Sequence, residues 1–456
     1  MLGALQHHDP CPGGRRRVRG RKPCWSRPDH RDVPLRVLHH ARSLDTVFRE
    51  PSSLFHGAHL STAVATDQRA TRAVYVAFTF LGVAMASFAA RIPQIRDELD
   101  LTPSRLGLLL LAIALGSITS LPLAGQIVGR FGSRRTVAVM AVLLGASLSA
   151  VAIGYQFGVV PVVIALYLYG FATGAWDVAM NVQGAIVERR IGRSIMPRFH
   201  AGYSVGTVAG ALAGAGAVAV GVSVTAHVTA CCVLVTIAVV AAVRQFVPDD
   251  DAEPETGGGG LSRTLATWRE PRTLLIGVFV LAFAFTEGAG IDWISVAMID
   301  DYDTSAAVGT LAFAVFLAAM TLGRWYGPAL LDRYGRVPVL RALALTALAG
   351  LVLFVFGSVT PLAFAGALLW GLGASLGFPV GMSAAADEPA KAPARVGVVA
   401  SIGYCAFLGG PPLIGLLGDH ITVLRGLLAV AVLLILSIAL SPVLRPPAEP
   451  ETRVMS

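Results

Sequence analysis

The sequence predicts an all-α membrane protein with twelve transmembrane helices in two pseudo-symmetric six-helix bundles. Three observations lead to this fold class. Only 14% of the 456 residues are charged, against about a quarter in soluble domains, and the mean hydropathy is +0.67. Apolar runs of roughly the ~20 residues needed to cross a bilayer recur along the chain. Features of the first six runs return in the last six.

Residues 1–70 precede the first apolar run and differ from it in composition. The stretch GGRRRVRGRKP is strongly basic, and prolines such as Pro23 and Pro28 interrupt any helix. The segment has no apolar signal-peptide core, so we expect a basic, disordered extension. Two alternatives are translated upstream sequence, with the start near Val64 or Met85, and a basic arm that contacts anionic lipid.

The rest of the chain is predicted to form an N-terminal bundle (71–247), a cytoplasmic linker (248–272), a C-terminal bundle (273–445) and a short tail (446–456). The linker interrupts the apolar pattern with the polar sequence DDDAEPETGGGG. The predicted spans, numbered one to twelve in chain order, are 73–90, 105–128, 136–154, 159–186, 199–220, 223–246, 273–297, 305–326, 339–357, 361–384, 396–417 and 424–444.

Basic residues are distributed unevenly between the predicted loops. The loops after spans two, four, eight and ten contain Lys or Arg, whereas the loops after spans three, five, seven and nine contain neither. By the positive-inside rule, both termini are predicted to lie in the cytoplasm, with the chain in the inner membrane. The net charge of +8 is thereby explained by topology, and no nucleic-acid partner is expected.

The two sets of six spans share short sequence features at nearly constant separation. Each feature occupies the same place in its half, which indicates a parallel internal repeat. Such repeats place the binding site near the bilayer midplane between the halves. The matching positions are Gly170 with Gly371, Tyr203 with Tyr404 (each 201 positions apart), and RFG at 130–132 with RYG at 333–335.

Span four contains a polar stripe. Thr173, Asp177 and Asn181 are spaced four residues apart, which places them on one helix face. An ionisable side chain at membrane depth costs about 2.5–3.5 kcal/mol and therefore faces a cavity or a partner. Asp177 is the first candidate for a proton-coupling group, and Thr173 and Asn181 for binding solute hydroxyls. The alternative is a structural ion pair, but no Arg or Lys is found deep in a predicted span.

Span seven contains two further carboxyl groups. Glu287 is near its middle and is the expected second-half counterpart of Asp177. Asp292 lies one and a half turns further out and is a second candidate for the cavity, with a place at the outer surface as the alternative. Trp293 fits a membrane-interface anchor, the common role of Trp. Trp176 is too deep in its span for that role, so we expect it to form a pocket wall that stacks on a sugar or an aromatic solute.

Two more sets of residues are candidates for the site. His200 and Tyr203 begin span five, where they either face the cavity or cap the helix. Pro379 in span ten and the pair Pro411 and Pro412 in span eleven predict kinks that serve as gating hinges.

Two loops carry a family resemblance. The loop after span two reads GQIVGRFGSRR and the loop after span eight reads LLDRYGR. Both resemble the G-x-x-x-D-R-x-G-R-R signature of the major facilitator superfamily (MFS), in the two places where that fold uses it. Span four is similar to the fucose–proton symporter group through Asp177 and Asn181. Span five (FHAGYSVGTVAG) and span seven (TEGAGIDWIS, with Glu287 and Trp293) resemble sugar-type and uncharacterised relatives. The resemblance covers residues 73–445.

The resemblance implies a conformational lock at these two loops. This chain has Gly129 where the first signature has Asp, and Pro328 where the second has its leading Gly. The lock is therefore expected to depend on Asp332 with Arg333 and Arg336, and the first-half lock to lack its carboxylate. The gating candidates are Arg130, Gly132, Arg134, Arg135, Asp332, Arg333, Gly335 and Arg336.

The predicted function is secondary active transport of a small sugar-like or other polar solute by alternating access, powered by protons and without a cofactor. One alternative is proton-driven efflux of amphipathic compounds or drugs. An alternative of another class, favoured by Gly129, is a transport-inactive sensor or partner-binding subunit. We expect a monomer in a lipid bilayer.

Other classes of function are not expected. No Walker-type phosphate loop is present, and the only lysines are Lys22 and Lys391. The sequence contains no Ser/His/Asp set that indicates an enzyme. The five cysteines lack the spacing of metal ligands, so no metal site is predicted.

Overall fold

The structure is a computed structural model. It describes residues 52–192, 195–249, 266–388 and 391–446, with side chains from residue 67 onwards except at residue 393. The predicted extension up to residue 51, most of the predicted linker (250–265) and the tail from residue 447 lie outside the described residues.

The described chain is built of α-helices joined by short turns, and no β-strand occurs in it. Single 3₁₀ turns follow three of the helices, at Tyr155–Phe157, Val243–Gln245 and Ser441–Leu444. The α-helices are α1 (Ser52–Ala89), α2 (Ile92–Glu98), α3 (Pro103–Gly154), α4 (Val159–Ile191), α5 (Met196–Ala219), α6 (Val224–Ala242), α7 (Pro271–Asp300), α8 (Ala306–Tyr334), α9 (Arg336–Phe356), α10 (Thr360–Ala374), α11 (Gly377–Ala385), α12 (Ala392–Ile421), α13 (Val423–Gly426) and α14 (Leu428–Leu440).

Eleven helical segments of the described chain are long and apolar enough to cross a membrane. The prediction of twelve spans agrees with this number because α3 contains spans two and three. The two parts of α3 meet at Gly132, whose φ of 78° and ψ of 156° are not helical. Helices α10 and α11 together form span ten. The all-α membrane fold predicted from the sequence is confirmed.

The structure confirms the internal repeat at the matched glycines. Gly335 has nearly the same backbone conformation as Gly132, with φ 78° and ψ 166°. A Cβ atom on Gly170 would collide with a carbonyl oxygen of α3, and one on Gly371 with a carbonyl oxygen of α8. We call α1–α6 the first half and α7–α14 the second half. Each half therefore packs its fourth span tightly on its second.

The two halves contact each other at one end of the bundle, which we call the outer end and define by Asp300 at the end of α7. Arg96 of α2 donates to both carboxylate oxygens of Asp300. Asp419 of α12 accepts a hydrogen bond from the backbone N–H of Ser104 at 3.2 Å. Nearby, a Cβ on Gly107 would collide with the backbone of Pro411. The outer end is therefore tightly closed.

At the opposite end, the inner end defined by Pro271 of α7, each half is fastened within itself. In the first half, Asp249 accepts hydrogen bonds from Ser133 N at 2.5 Å, Ser133 Oγ at 2.6 Å and Gln183 Nε2 at 2.8 Å. In the second half, Asp387 pairs with Arg272 at 2.8 Å and with Arg336 at 2.7 Å. These contacts brace each bundle as a separate body.

Candidate functional site

A cavity of about 260 Å³ lies between the two halves. Helices α1 to α5 line it from the first half, and α7, α8 and α12 from the second. Its walls are mainly aliphatic and aromatic. The aromatic side chains are Phe88, Tyr169, Tyr203, Phe313, Tyr404 and Phe407. The matched pair Tyr203 and Tyr404 thus faces the cavity from both halves, as the repeat predicts.

Four of the predicted site residues line this cavity: Thr173, Tyr203, Asp292 and Pro411. Thr173 Oγ1 donates to the carbonyl of Tyr169 at 2.9 Å. The hydroxyl of Tyr203 lies 3.0 Å from Met85 Sδ. For Asp292 the sequence left the cavity and the outer surface open, and the structure places it in the cavity wall. Helix α7 continues beyond it to Asp300, so Asp292 is half-buried there.

Asp177 and Asn181 follow Thr173 by one and two turns of α4, towards the inner end, and both are half-buried. Asn181 Nδ2 donates to Asp177 Oδ1 at 3.2 Å and to the Asp177 carbonyl at 2.8 Å. No ion pair to Asp177 occurs among the residues that the structure describes. Tyr203 and Tyr404 lie within electrostatic range of its carboxyl group. The predicted polar stripe therefore adjoins the cavity at its inner rim.

Glu287 differs from Asp177 because it has a counter-ion. Arg324 of α8 donates to both of its carboxylate oxygens at 2.9 Å and to the carbonyl of Ser375 at 3.2 Å. The interpretation that no Arg lies deep in a span is wrong for Arg324. Predicted span eight ended two residues after it, whereas α8 continues to Tyr334. Arg324 nevertheless lies within the predicted range of span eight, so the sequence did contain an indication of the Glu287–Arg324 pair.

Neither of the two tryptophans considered in the sequence analysis lies where it was predicted. Trp176 and Trp293 are both 0% exposed, and their indole Nε1 atoms have no hydrogen-bond partner among the described residues. Trp176 is therefore fully buried and is not among the residues that line this cavity. Trp293 is not an interface anchor, since α7 buries it completely.

His200 is exposed. Its ring lies edge-on to Phe78 at 5.0 Å, within electrostatic range of Arg324. Glu287 and Arg324 keep 18% and 26% of their side-chain surface exposed near the middle of their helices. Because the outer end is closed, the inner end is the side from which these two groups are accessible.

The predicted hinge prolines occupy two kinds of position. Pro379 follows the interruption between α10 and α11 at residues 375–376. Pro411 and Pro412 lie within the continuous helix α12, with Pro411 against Gly107 of α3. Their role as hinges remains a prediction.

The lock predicted for the second half has different partners from those expected. Arg336 pairs with Asp387 at 2.7 Å, not with Asp332. Asp332 and Arg333 are exposed, and Arg333 lies over the ring of Tyr334 at 5.1 Å. Asp387, which follows span ten, is thus the acceptor: its side chain is only 8% exposed, whereas Asp332 is exposed.

In the first half, Arg130 lies over Phe131 at 5.7 Å, and Arg134 and Arg135 are exposed. Near this loop, Asp249 supplies a carboxylate that accepts hydrogen bonds from the N–H and Oγ of Ser133, directly after Gly132. Asp249 belongs to the predicted linker, so the signature at residues 125–135 held no indication of it.

Another ionic cluster lies at the inner end of the second half. Arg395, at the start of α12, is 2.6 Å from Glu270 and 2.9 Å from Glu388. Its guanidinium holds the pKa of both carboxyl groups below their usual values. The cluster ties the segment before α7 to the one before α12, and both belong to the second half.

Comparison with known proteins agrees with this architecture. The family model described as "Major Facilitator Superfamily" matches residues 73–296 and 278–454. An uncharacterized MFS-type transporter of Yersinia pestis is 30% identical over 370 residues, covering 80% of this chain and 93% of that protein.

Solved structures show the same fold. The crystal structure of the nucleoside transporter NupG has a TM-score of 0.68 at 13% identity, covering 83% of this chain and 99% of that one. The E. coli Fucose:proton symporter, FucP, has a TM-score of 0.58 at 14% identity, covering 82% and 98%. The resemblance found in the sequence is confirmed: this chain is a multi-pass membrane protein and belongs to the Major Facilitator Superfamily of transporters.

Proposed function

We propose that this transporter moves a small amphipathic solute by alternating access, driven by a proton that binds at Asp177. The observation that carries the proposal is the environment of Asp177. Its carboxyl group lies half-buried at the inner rim of the cavity, with an amide donor from Asn181 and no cationic partner among the described residues. Glu287, the other carboxyl group at this depth, is already neutralised by Arg324.

Proton binding at Asp177 would change the balance between the two transporter states. In the state open at the inner end, water reaches this depth and stabilises an ionised carboxylate. Closure of the inner end would remove that water, and burying an unpaired carboxylate is costly, so the neutral acid is favoured. A proton that binds the two states differently shifts their populations, which is the requirement for coupling.

The chemistry of the cavity favours an amphipathic solute over a sugar. A sugar carries many hydroxyl groups, and each buried hydroxyl left without a partner costs about 1–3 kcal/mol. The polar groups of the lining are few. Besides the tyrosines and Asp292, they are the hydroxyl groups of Ser117, Thr173 and Thr207. The aliphatic and aromatic walls instead suit a compound with an apolar body.

The proposal predicts that Asp177→Asn separates solute movement from proton movement. Purified protein in proteoliposomes would be given small amphipathic solutes under an imposed proton gradient, and solute accumulation and internal pH would be followed together. We expect the wild type to accumulate or expel solute with proton flux, and Asp177→Asn to retain only gradient-independent exchange.

Asp332→Asn is the matched control, since that carboxyl group is exposed at the inner end. It should behave as the wild type. Proton-coupled flux that persists in Asp177→Asn would contradict the assignment. Wild-type protein that binds solutes but moves none would favour the transport-inactive sensor instead.

A further inference from the structure

Asp292 is the one carboxyl group in the lining of the 260 Å³ cavity, and no Lys, Arg or His lines it. It projects from α7 and is half-buried there. Its carboxylate has no hydrogen bond or ion pair within the described part of the chain. Proton coupling is assigned to Asp177 at the inner rim, so Asp292 has no role in it.

The protein offers Asp292 no obvious counter-ion. The buried or half-buried arginines near the cavity bind other groups, and no ion pair joins any of them to Asp292 in the described part of the chain. Arg324 binds Glu287, Arg96 binds Asp300, and Arg91 binds His227 Nδ1 at 3.0 Å together with the carbonyl of Val222 at 3.0 Å.

The walls around Asp292 also favour positive charge. Aromatic rings present a negative face, and a cation within about 6 Å of a ring centroid is attracted to it. Phe88, Tyr169, Phe313 and Phe407 line the same cavity as Asp292.

We infer that the solute is a monovalent organic cation, such as a protonated amine with an apolar body, and that Asp292 neutralises its charge. An anionic solute would meet a like charge when Asp292 is ionised, and a neutral solute offers the carboxylate no counter-charge, so the acid form is favoured beside it. A cationic solute compensates the carboxylate by its own binding and so favours the ionised form. The inference rests on the proposed function, since it names the solute class of the same cavity.

The assignment gives the carboxyl groups separate tasks. Asp177 holds the proton at the inner rim, Asp292 selects the charge of the solute inside the cavity, and Glu287 stays paired with Arg324. Because the tasks are separate, substitution of one carboxyl group should leave the other function measurable.

The test compares 2-phenylethylamine, a cation at pH 7, with 2-phenylethanol, its neutral counterpart of similar shape, and with the anion 3-phenylpropionate. Binding is measured by thermal unfolding of the purified full-length protein in detergent. We expect the amine to stabilise the wild type and the other two compounds not to. Loss of a buried charge partner should weaken amine binding about 30-fold or more in Asp292→Asn, whereas Asp332→Asn, at an exposed carboxyl group of the inner end, keeps it.

A second measurement does not depend on the variant folding. Dicyclohexylcarbodiimide is an apolar reagent that modifies buried carboxyl groups, and mass spectrometry locates the added mass. In the wild type, we expect modification of Asp292 that N,N-dimethyl-2-phenylethylamine, a cation that forms no amide with the activated carboxyl group, slows and the alcohol does not.

Equal binding of amine and alcohol would overturn the inference, and so would failure of the amine to bind at millimolar concentration or an unchanged amine preference in Asp292→Asn. Any of these outcomes, together with lost proton coupling in Asp177→Asn, would leave the proposed function standing. Amine selectivity at Asp292 with coupling intact in Asp177→Asn would reject only the proton assignment.

Discussion

Three carboxyl groups in the spans have three different environments. Asp177 has an amide donor, Glu287 has a guanidinium, and Asp292 has no partner among the described residues. All three side chains end in a carboxyl group, so differences in their roles come from the groups that each one contacts. Only Glu287 is placed to serve structure, since it joins α7 to α8.

The Glu287–Arg324 pair predicts a stability effect. Glu287→Gln removes one charge and leaves the Arg324 guanidinium half-buried without compensation, which should cost about 1.5–3 kcal/mol, the usual range for hydrogen bonds to charged groups. Breaking a buried pair is worse than removing both charges. The double variant Glu287→Gln with Arg324→Gln should therefore recover part of the loss.

Thermal unfolding in detergent compares the two variants directly. A double variant no more stable than Glu287→Gln would show that the charge left on Arg324 is not the cause of the loss.

At the scale of the element, α3 depends on its bend. Gly132 has φ 78° and ψ 156°, a region that is nearly restricted to glycine. A Cβ atom there would lie 3.1 Å from Asp249 Oδ2, the carboxylate that binds the N–H and Oγ of Ser133. The bend thus exposes the start of span three to Asp249, which acts as a cap supplied from after α6.

A pair of alanine substitutions in α3 tests this account. Gly132→Ala should destabilise the protein by about 1–3 kcal/mol, because the backbone conformation is strained for alanine. Gly129→Ala lies three residues earlier, where a Cβ meets nothing within 4 Å. It should be neutral or stabilising by about 0.5–1 kcal/mol, since alanine favours the helix.

Melting temperatures of the two variants, measured side by side, provide the readout. Equal values for Gly132→Ala and Gly129→Ala would contradict the claim that the bend requires glycine.

At the scale of the whole molecule, the contacts are arranged for two rigid bodies that rock against each other. The halves are braced separately at the inner end, by Asp249 and by Asp387, and are joined at the outer end by Arg96 with Asp300 and by Asp419. Opening the outer end must break those joining contacts. The Arg96–Asp300 pair should therefore stabilise the state described here.

Arg96→Gln is expected to raise the population of the state open at the outer end. Each 1.4 kcal/mol lost from the closed state changes the ratio of states tenfold, so loss of this pair should produce a change of about tenfold. The readout is labelling of Thr173→Cys in the cavity by an impermeant thiol reagent added from the outer side, with the native cysteines replaced by serine.

Arg395→Gln is the control, because its partners Glu270 and Glu388 belong to the same half. It should leave labelling unchanged. Equal labelling in Arg96→Gln and in the otherwise unaltered Thr173→Cys protein would show that the pair does not hold the outer end closed.

The spans, the two-fold repeat and the polar stripe of α4 were all readable from the sequence. A bilayer requires each crossing segment to satisfy its backbone hydrogen bonds internally. Each span can therefore be recognised from the hydrophobicity of its own ~20 residues. Glycines such as Gly132 and Gly170 revealed the repeat, because the same backbone conformation or close helix approach recurs at the matching position of the other half.

The partners of the charged groups were decided only by the tertiary structure. Arg324 comes from the helix after Glu287, Asp249 reaches Ser133 across 116 positions, and Asp292 faces the cavity because α7 continues beyond it. The complete burial of Trp176 and Trp293 was not predicted for the same reason. Hydrophobicity is a property of one segment, whereas an ion pair or a cavity wall depends on which distant helices pack together, and no single segment contains that information.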